Sequence, residues 1–217
     1  MHIPDGYLGP ITYGSLWAAV IPIWIYASKK VKEILKASQV PLLALSAAFS
    51  FVIMMFNVPL PGGTTGHATG ATLIAILIGP WPAVIALSIA LIVQALIFGD
   101  GGITAIGANC FNIAFASVLV GYGIYKLISS EKFKVQSLKF KNSDTETSRS
   151  SLSTRHLIGA GAGAYIGINI AALLTALELG IQPLLHTGAD GRPLYSPFPL
   201  SITIPAIMLE HIFLFGI

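Results

Sequence analysis

The chain is poor in charge, nearly devoid of cysteine and lacks a nucleotide-binding loop, and each shortage excludes something. Only 10% of its 217 residues are charged while 54% are hydrophobic, against roughly 25% charged in an ordinary soluble domain. An integral membrane protein is expected. The one cysteine, Cys110, rules out an intrachain disulfide and a cysteine-cluster metal site; in an apolar segment it reads as a small buried hydrophobe. No G-x-x-x-x-G-K-[ST] run occurs, so this chain carries no Walker A loop with which to couple ATP hydrolysis. The GAGAG of residues 159–163 resembles a dinucleotide loop only superficially, for no strand precedes it and the sixth position is not glycine. The N-terminus has neither the basic region nor the cleavage site of a secretory signal, and its retention is expected. A net charge of +3 and a pI near 9.0 point to membrane topology rather than to nucleic acid.

What is present is a series of long apolar runs. A helix needs about 20 mainly apolar residues to cross the hydrocarbon, so one polytopic domain over residues 1–217 accommodates six or seven spans. The runs lie at about Leu8 to Ser28, Val40 to Val58, Ala68 to Phe98, Ile103 to Ile128, His156 to Ile181 and from Ser201 onward. Gly79-Pro80-Trp81-Pro82 interrupts the third, and such punctuation ends a helix. Taken as two spans, this region puts Lys29, Lys30, Lys32, Lys36, Lys126, Lys132, Lys134, Lys139, Lys141, Arg149 and Arg155 on the cytoplasmic side. Only Arg192 then lies outside, as the positive-inside rule requires. The expected fold is an all-α membrane bundle of seven transmembrane helices, N-terminus outside and C-terminus inside, in a prokaryotic cell membrane. Its two middle spans, roughly 13 and 17 residues, fall short of the usual ~20. Residues 129–155, rich in Ser, Thr, Lys and Asn, read as a flexible cytoplasmic loop. Gly159, Gly163, Gly167 and Ala171 recur every fourth residue, which lays a flat seam along one helix face for close packing.

This topology gathers three short Gly-rich segments at the outer face: MHIPDG at the start, PLPGGTTGHATG over residues 59–70, and GDGG over residues 99–102. Five histidines occur in all. His156, His186 and His211 read as hydrogen-bonded structural residues. His2 differs because of its neighbours. A free amine on Met1, the peptide nitrogen of His2 and its imidazole can bind one metal through fused five- and six-membered chelate rings, and His67 on the same side can supply a fourth nitrogen. Planar nitrogen coordination suits Ni(II) or Cu(II) rather than tetrahedral Zn(II). Against this stands a frayed, solvated terminus. Pro4 and the Asp5-Gly6 turn, however, send the tail back toward the bundle.

MHIPDGYL at the N-terminus, followed by PLPGGTTGHATG, resembles the CbiM/NikM family, the substrate-capturing membrane components of energy-coupling-factor importers for cobalt and nickel. The resemblance extends over most of the chain. It implies a nearly planar four-nitrogen site for Ni2+ or Co2+ made by the amine of Met1, the backbone nitrogen and imidazole of His2, and the imidazole of His67. It also implies partners: a membrane-embedded coupling protein, two cytoplasmic ATPase subunits and often a small accessory membrane protein. The capture subunit would topple in the membrane to release its cargo, with no catalytic cofactor. Ala44-x-x-x-Ala48 resembles the small-residue seam of the docking helix. Family members usually continue past E-H-x-x-x-F-G-I, so a truncated final span is expected at Ile217.

Thr64, Thr65 and Asn109 either orient the ligands by hydrogen bonding or are ordinary loop polarity. Asp5 either does the same or caps the turn. Glu178, costly in lipid, is a functional candidate or an interfacial residue. The competing function is an intramembrane metalloenzyme that uses His2 and His67 with a catalytic water and Asp5 or Asp100 as base. A plain structural subunit with a loose tail is the third possibility.

Overall fold

A computed structural model describes residues 1–60, 64–129 and 154–215. Pro10, pre-set for the first helical position, opens α1 (Pro10–Ile34), which ends among the lysines of the first basic segment. A 3-10 turn over Ala37–Gln39 leads to α2 (Val40–Met55). The strands β1 (Val58–Leu60) and β2 (Thr64–Gly66) follow and pair antiparallel, Val58 opposite Gly66. This small ladder departs from the all-helical expectation, and no alternation of apolar residues announces it. The chain continues through α3 (Ala71–Ile78), α4 (Pro80–Val93), α5 (Ile106–Asn109), α6 (Ser117–Ser129), α7 (Thr154–Gly180), α8 (Gln182–Leu185) and α9 (Leu200–Glu210).

The third apolar run is indeed broken at Gly79. Its φ of +95° is open to glycine and not to other residues. Its N–H still caps α3 on Ala75 while its carbonyl accepts the N–H of Ala83 in α4. The two pieces differ from the expected lengths. Pro80–Phe98 is a full-length apolar span, whereas α3 has 8 residues, about 12 Å of helix against a core of about 30 Å. Among the described residues five helices are long and apolar enough to cross a membrane, and Leu200–Leu214 is a shorter apolar helix. Residues 130–153 of the expected 129–155 loop lie outside the described residues.

Packing is that of a membrane bundle. Large apolar side chains such as Phe56, Leu127 and Ile97 are more than 70% exposed, an arrangement unfavourable in water and natural against lipid. The interior is filled by small residues, Ala83, Ala86, Ala108, Ala114, Ala171 and Ala176 among them. The glycine seam of α7 lies on α6: a Cβ on Gly163 would collide with the carbonyl of Gly121, and one on Gly167 would come within 2.7 Å of that of Ser117. Gly161, off the seam, faces open space. Ala44 and Ala48 are exposed, on an apolar groove of about 620 Å³ between α2 and α4.

Among the described residues three π-helical turns extend the helices, at Gln94–Phe98, Cys110–Ala116 and His211–Phe215. Such turns are frequent at functional sites. The first leads into the loop that carries Asp100, the second follows Asn109, and the third begins at His211.

Candidate metal centre

The tail before α1 is threaded into the bundle. Met1 and Ile3 are wholly buried and His2 nearly so, at 3% exposure. Gly6, with φ of +82°, makes the turn. The tail is held at alternate residues. Asn109 uses both ends of its amide on the third residue, accepting from the Ile3 N–H at 2.9 Å and donating to its carbonyl at 3.2 Å. That carbonyl also accepts the Gly102 N–H. The Asp5 carboxylate accepts the N–H groups of Ile103 and Thr104 and the Thr104 hydroxyl. The Tyr7 carbonyl accepts the Ser196 N–H, and the Gly9 N–H donates to Gln182 Oε1 at 2.9 Å. Gly102 permits this closeness, since a Cβ there would run into the backbone and carboxylate of Asp5.

At the end of this threaded segment the two histidines meet. The rings of His2 and His67 lie 4.5 Å apart, tilted by 43°. His67 is 0% exposed, its Nδ1 lies 3.1 Å from the Ala68 carbonyl, and its Nε2 is buried with no hydrogen-bond partner among the described residues. On the other side, His2 Nδ1 lies 2.9 Å from Asp100 Oδ1. Asn57 Nδ2 supports the far carboxylate oxygen at 3.3 Å.

Electrostatics leave these nitrogens unprotonated. Burial drives the Met1 amine from its ordinary value near 8.0 down to about 4, against the pull of Asp100 and Glu210. Burial likewise lowers His2, although Asp100 opposes it. His67 is held well below its usual range by burial, then by the amine and the His2 ring. For Asp100, burial acts upward, but His2, the amine and Asn57 outweigh it and keep the carboxyl below its usual range. The result is a buried set of neutral nitrogen donors with the Asp100 carboxylate against His2. Among the described residues no group of three or more His, Cys, Asp and Glu converges as a metal cluster.

The structure thus brings Met1, His2 and His67 together. Asn109 sits beside them but clamps the backbone of Ile3 and not a ring. Asp5 caps the turn at Ile103 and Thr104. The Thr65 hydroxyl is buried without a partner among the described residues, and the side chain of Thr64 lies outside them. Glu178 is buried in α7, accepting from Asn112 Nδ2 at 2.8 Å. His156 bonds the Tyr125 hydroxyl, near Lys126 and Arg155, and His186 packs against Gly9 and the Tyr195 ring. Neither joins the centre. Three neighbours were not legible as such from the sequence: Asp100, which contacts His2; Glu210, whose charge reaches the amine; and His211, whose charge reaches His67. His211 is fully buried with Nδ1 on the Ile207 carbonyl at 2.8 Å. Adjacency of Glu210 and His211 was their only signal. Both bases considered for a metalloenzyme are engaged, Asp5 by Ile103 and Thr104, and Asp100 by His2 and Asn57.

Fold and centre together define a helical membrane protein that packs its own N-terminus, with two histidines, into a nitrogen-donor pocket. Residues 2–217 match the family described as CbiM, cobalt uptake substrate-specific transmembrane region, and the chain belongs to that family. It is 48% identical over its whole length to a fused nickel transport protein NikMN of Rhodobacter capsulatus. It is 46% identical to a probable fused nickel transport protein LarMN of Lactiplantibacillus plantarum. The chain spans 57% and 60% of the length of these two relatives. It covers 85% of a putative metal transport protein of Methanocaldococcus jannaschii, with 44% identity. A crystal structure of a truncated transition metal transporter superposes with a TM-score of 0.87 at 49% identity, covering all of this chain and 91% of that one.

Proposed function

We propose that this chain captures Ni2+, or Co2+, at the outer face of a prokaryotic cell membrane as the substrate-specific component of an energy-coupling-factor importer. The ligands in this reading are the Met1 amine, the His2 peptide nitrogen and imidazole, and His67. Asn109 and Asp5 fix the register of the tail. Seven spans with the N-terminus outside and the C-terminus inside accommodate this arrangement. Import is then driven by a membrane coupling protein and two cytoplasmic ATPases, with a small accessory membrane protein where one is present. The relatives named as nickel transport proteins support the cargo class.

The observation that carries the reading is the buried Nε2 of His67, without a hydrogen-bond partner among the described residues and 4.5 Å ring to ring from a histidine that follows a buried amine. Burying a polar nitrogen without a partner is unfavourable, and a bound cation relieves it. Neutral imidazoles and amines suit late first-row divalent ions, and loss of the His2 peptide proton limits net charge in the pocket.

The test is to lengthen the chain by one residue. Purified protein beginning at Met1 should bind Ni2+ by isothermal titration and show the visible band of planar four-nitrogen nickel. Protein with one alanine before Met1, or with an acetylated amine, should fold alike and lose both. Unchanged affinity in the extended protein would falsify the N-terminal chelate.

A further inference from the structure

The proposed ligands are sealed in: Met1 and His67 are 0% exposed and His2 3%. Cargo must nevertheless arrive from water, and the sealed cluster meets partly exposed polar surface at Asp100. Its side chain is 18% exposed while touching His2 at 2.9 Å. It sits between Gly99 and Gly101, with φ of +66° and +95°, conformations that only glycine adopts readily. The segment arches over the tail: a Cβ on Gly101 would lie 3.6 Å from His2 Cβ and 3.1 Å from Asn109 Nδ2.

The atom that Asp100 touches also matters. Chelation by the peptide nitrogen and imidazole of one histidine closes a six-membered ring through Cα, Cβ, Cγ and Nδ1, and Nε2 points away from that ring. Asp100 therefore occupies the chelating nitrogen of His2.

Building on the capture reading above, we infer that Asp100 is the admission residue of the site, the carboxylate that meets the hydrated divalent cation at the surface and yields His2 Nδ1 to it. In the empty protein the carboxylate holds His2 in place through Nδ1. As the cation approaches, the carboxylate exchanges its contact with His2 Nδ1 for the cation's charge, and the imidazole carries its proton on Nε2 once Nδ1 is coordinated. Asn57 keeps it aimed inward. The carboxylate acts before coordination is complete, so it sets the rate of loading more than the strength of holding.

The experiment is stopped-flow loading of the full chain with Ni2+ alone, read at the visible band. A fixed carboxylate at a low-dielectric opening concentrates cations, an effect worth 10–1000-fold in association rate. Asp100→Asn should slow loading by at least about tenfold, with an unchanged band and a dissociation rate close to wild type. Asp100→Glu should restore most of the rate. The wild-type rate should fall as salt rises, and the Asp100→Asn rate should be nearly flat. The salt dependence needs no variant, so it holds even if Asp100→Asn folds poorly. Loading of Asp100→Asn within twofold of wild type, or an altered band, overturns the inference. A wild-type protein with no four-nitrogen band at all overturns the capture reading instead.

Discussion

Two buried polar hubs hold the N-terminal region, and they differ in whether their hydrogen bonding is complete. Gln182, fully buried at the start of α8, spends its whole amide on the protein: Oε1 accepts from Gly9, while Nε2 donates to the Thr12 hydroxyl and the Glu178 carbonyl. His67, equally buried, uses Nδ1 on a neighbouring carbonyl and leaves Nε2 without a partner among the described residues. The same burial thus yields two roles. A satisfied amide is a fastener, because every group removed from water has found a substitute. An imidazole nitrogen without a partner among the described residues, its ring 4.5 Å from that of His2, is in the capture reading the place for a ligand.

Exchanging the two residues for alanine should separate these roles most sharply. His67→Ala should lower nickel affinity by more than about 100-fold, beyond the 10–100-fold typical of losing a group that merely supports a ligand. Its thermal stability without metal should be near wild type, since a buried unsatisfied nitrogen is lost. Gln182→Ala should do the reverse. It orphans the Gly9 N–H and destabilises the fold by about 1–3 kcal/mol, with a smaller effect on affinity. Titration calorimetry and denaturation of both variants check this; equal affinity losses would erase the distinction.

Acidity should act on the cluster around His67, through the Met1 amine, and spare the Gln182 amide, which does not titrate. Docked, the Met1 amine is held down to about 4; released into water it returns to about 8.0. Between these values the released tail binds the extra proton, so docking is strongest above pH 8 and weakens as pH falls toward 4, by about 1.4 kcal/mol per unit. Nickel affinity should fall in the same direction, because protons compete for the same nitrogens. The open fraction of the tail, obtained as the Ile3 N–H exchange rate divided by its intrinsic rate at each pH, should rise steadily from pH 8 to 5 in metal-free protein and much less with nickel bound. An open fraction independent of pH would contradict a buried neutral amine.

Much of this was legible in the sequence. The break at Gly79-Pro80, the seam of Gly163 and Gly167, and the convergence of the N-terminus on His67 follow from local rules of backbone freedom, small-residue packing and charge placement. The 58–66 hairpin was not legible, because a three-residue strand carries no periodicity and its pairing depends on the tertiary setting. Asp100 was visible as an acid in a Gly-rich loop, yet its partner lies far away in sequence, and only the fold brings it to His2. Glu210 and His211 failed for a similar reason: position along an apolar run does not reveal which face meets the tail. Asn109 was recognised as a polar residue near the outer face, but its target is a main-chain peptide, a contact that side-chain chemistry alone does not specify.

The smallest expected effect concerns that contact. Asn109 imitates a strand partner for Ile3, with an acceptor for its N–H and a donor for its carbonyl, and Ile3 adjoins His2. Asn109→Asp keeps the acceptor and loses the donor, while Gly102 still donates to the Ile3 carbonyl. Asn109→Leu loses both and leaves the buried Ile3 N–H unmatched. Affinity should therefore fall about 10-fold in Asn109→Leu, at the low end for a supporting group, and less in Asn109→Asp, with the visible band retained in both because no donor nitrogen is removed. A band shifted toward weaker-field coordination in Asn109→Leu would mean that the tail has slipped by a residue. Asn109 would then decide which nitrogens reach the metal as well as how tightly they hold it.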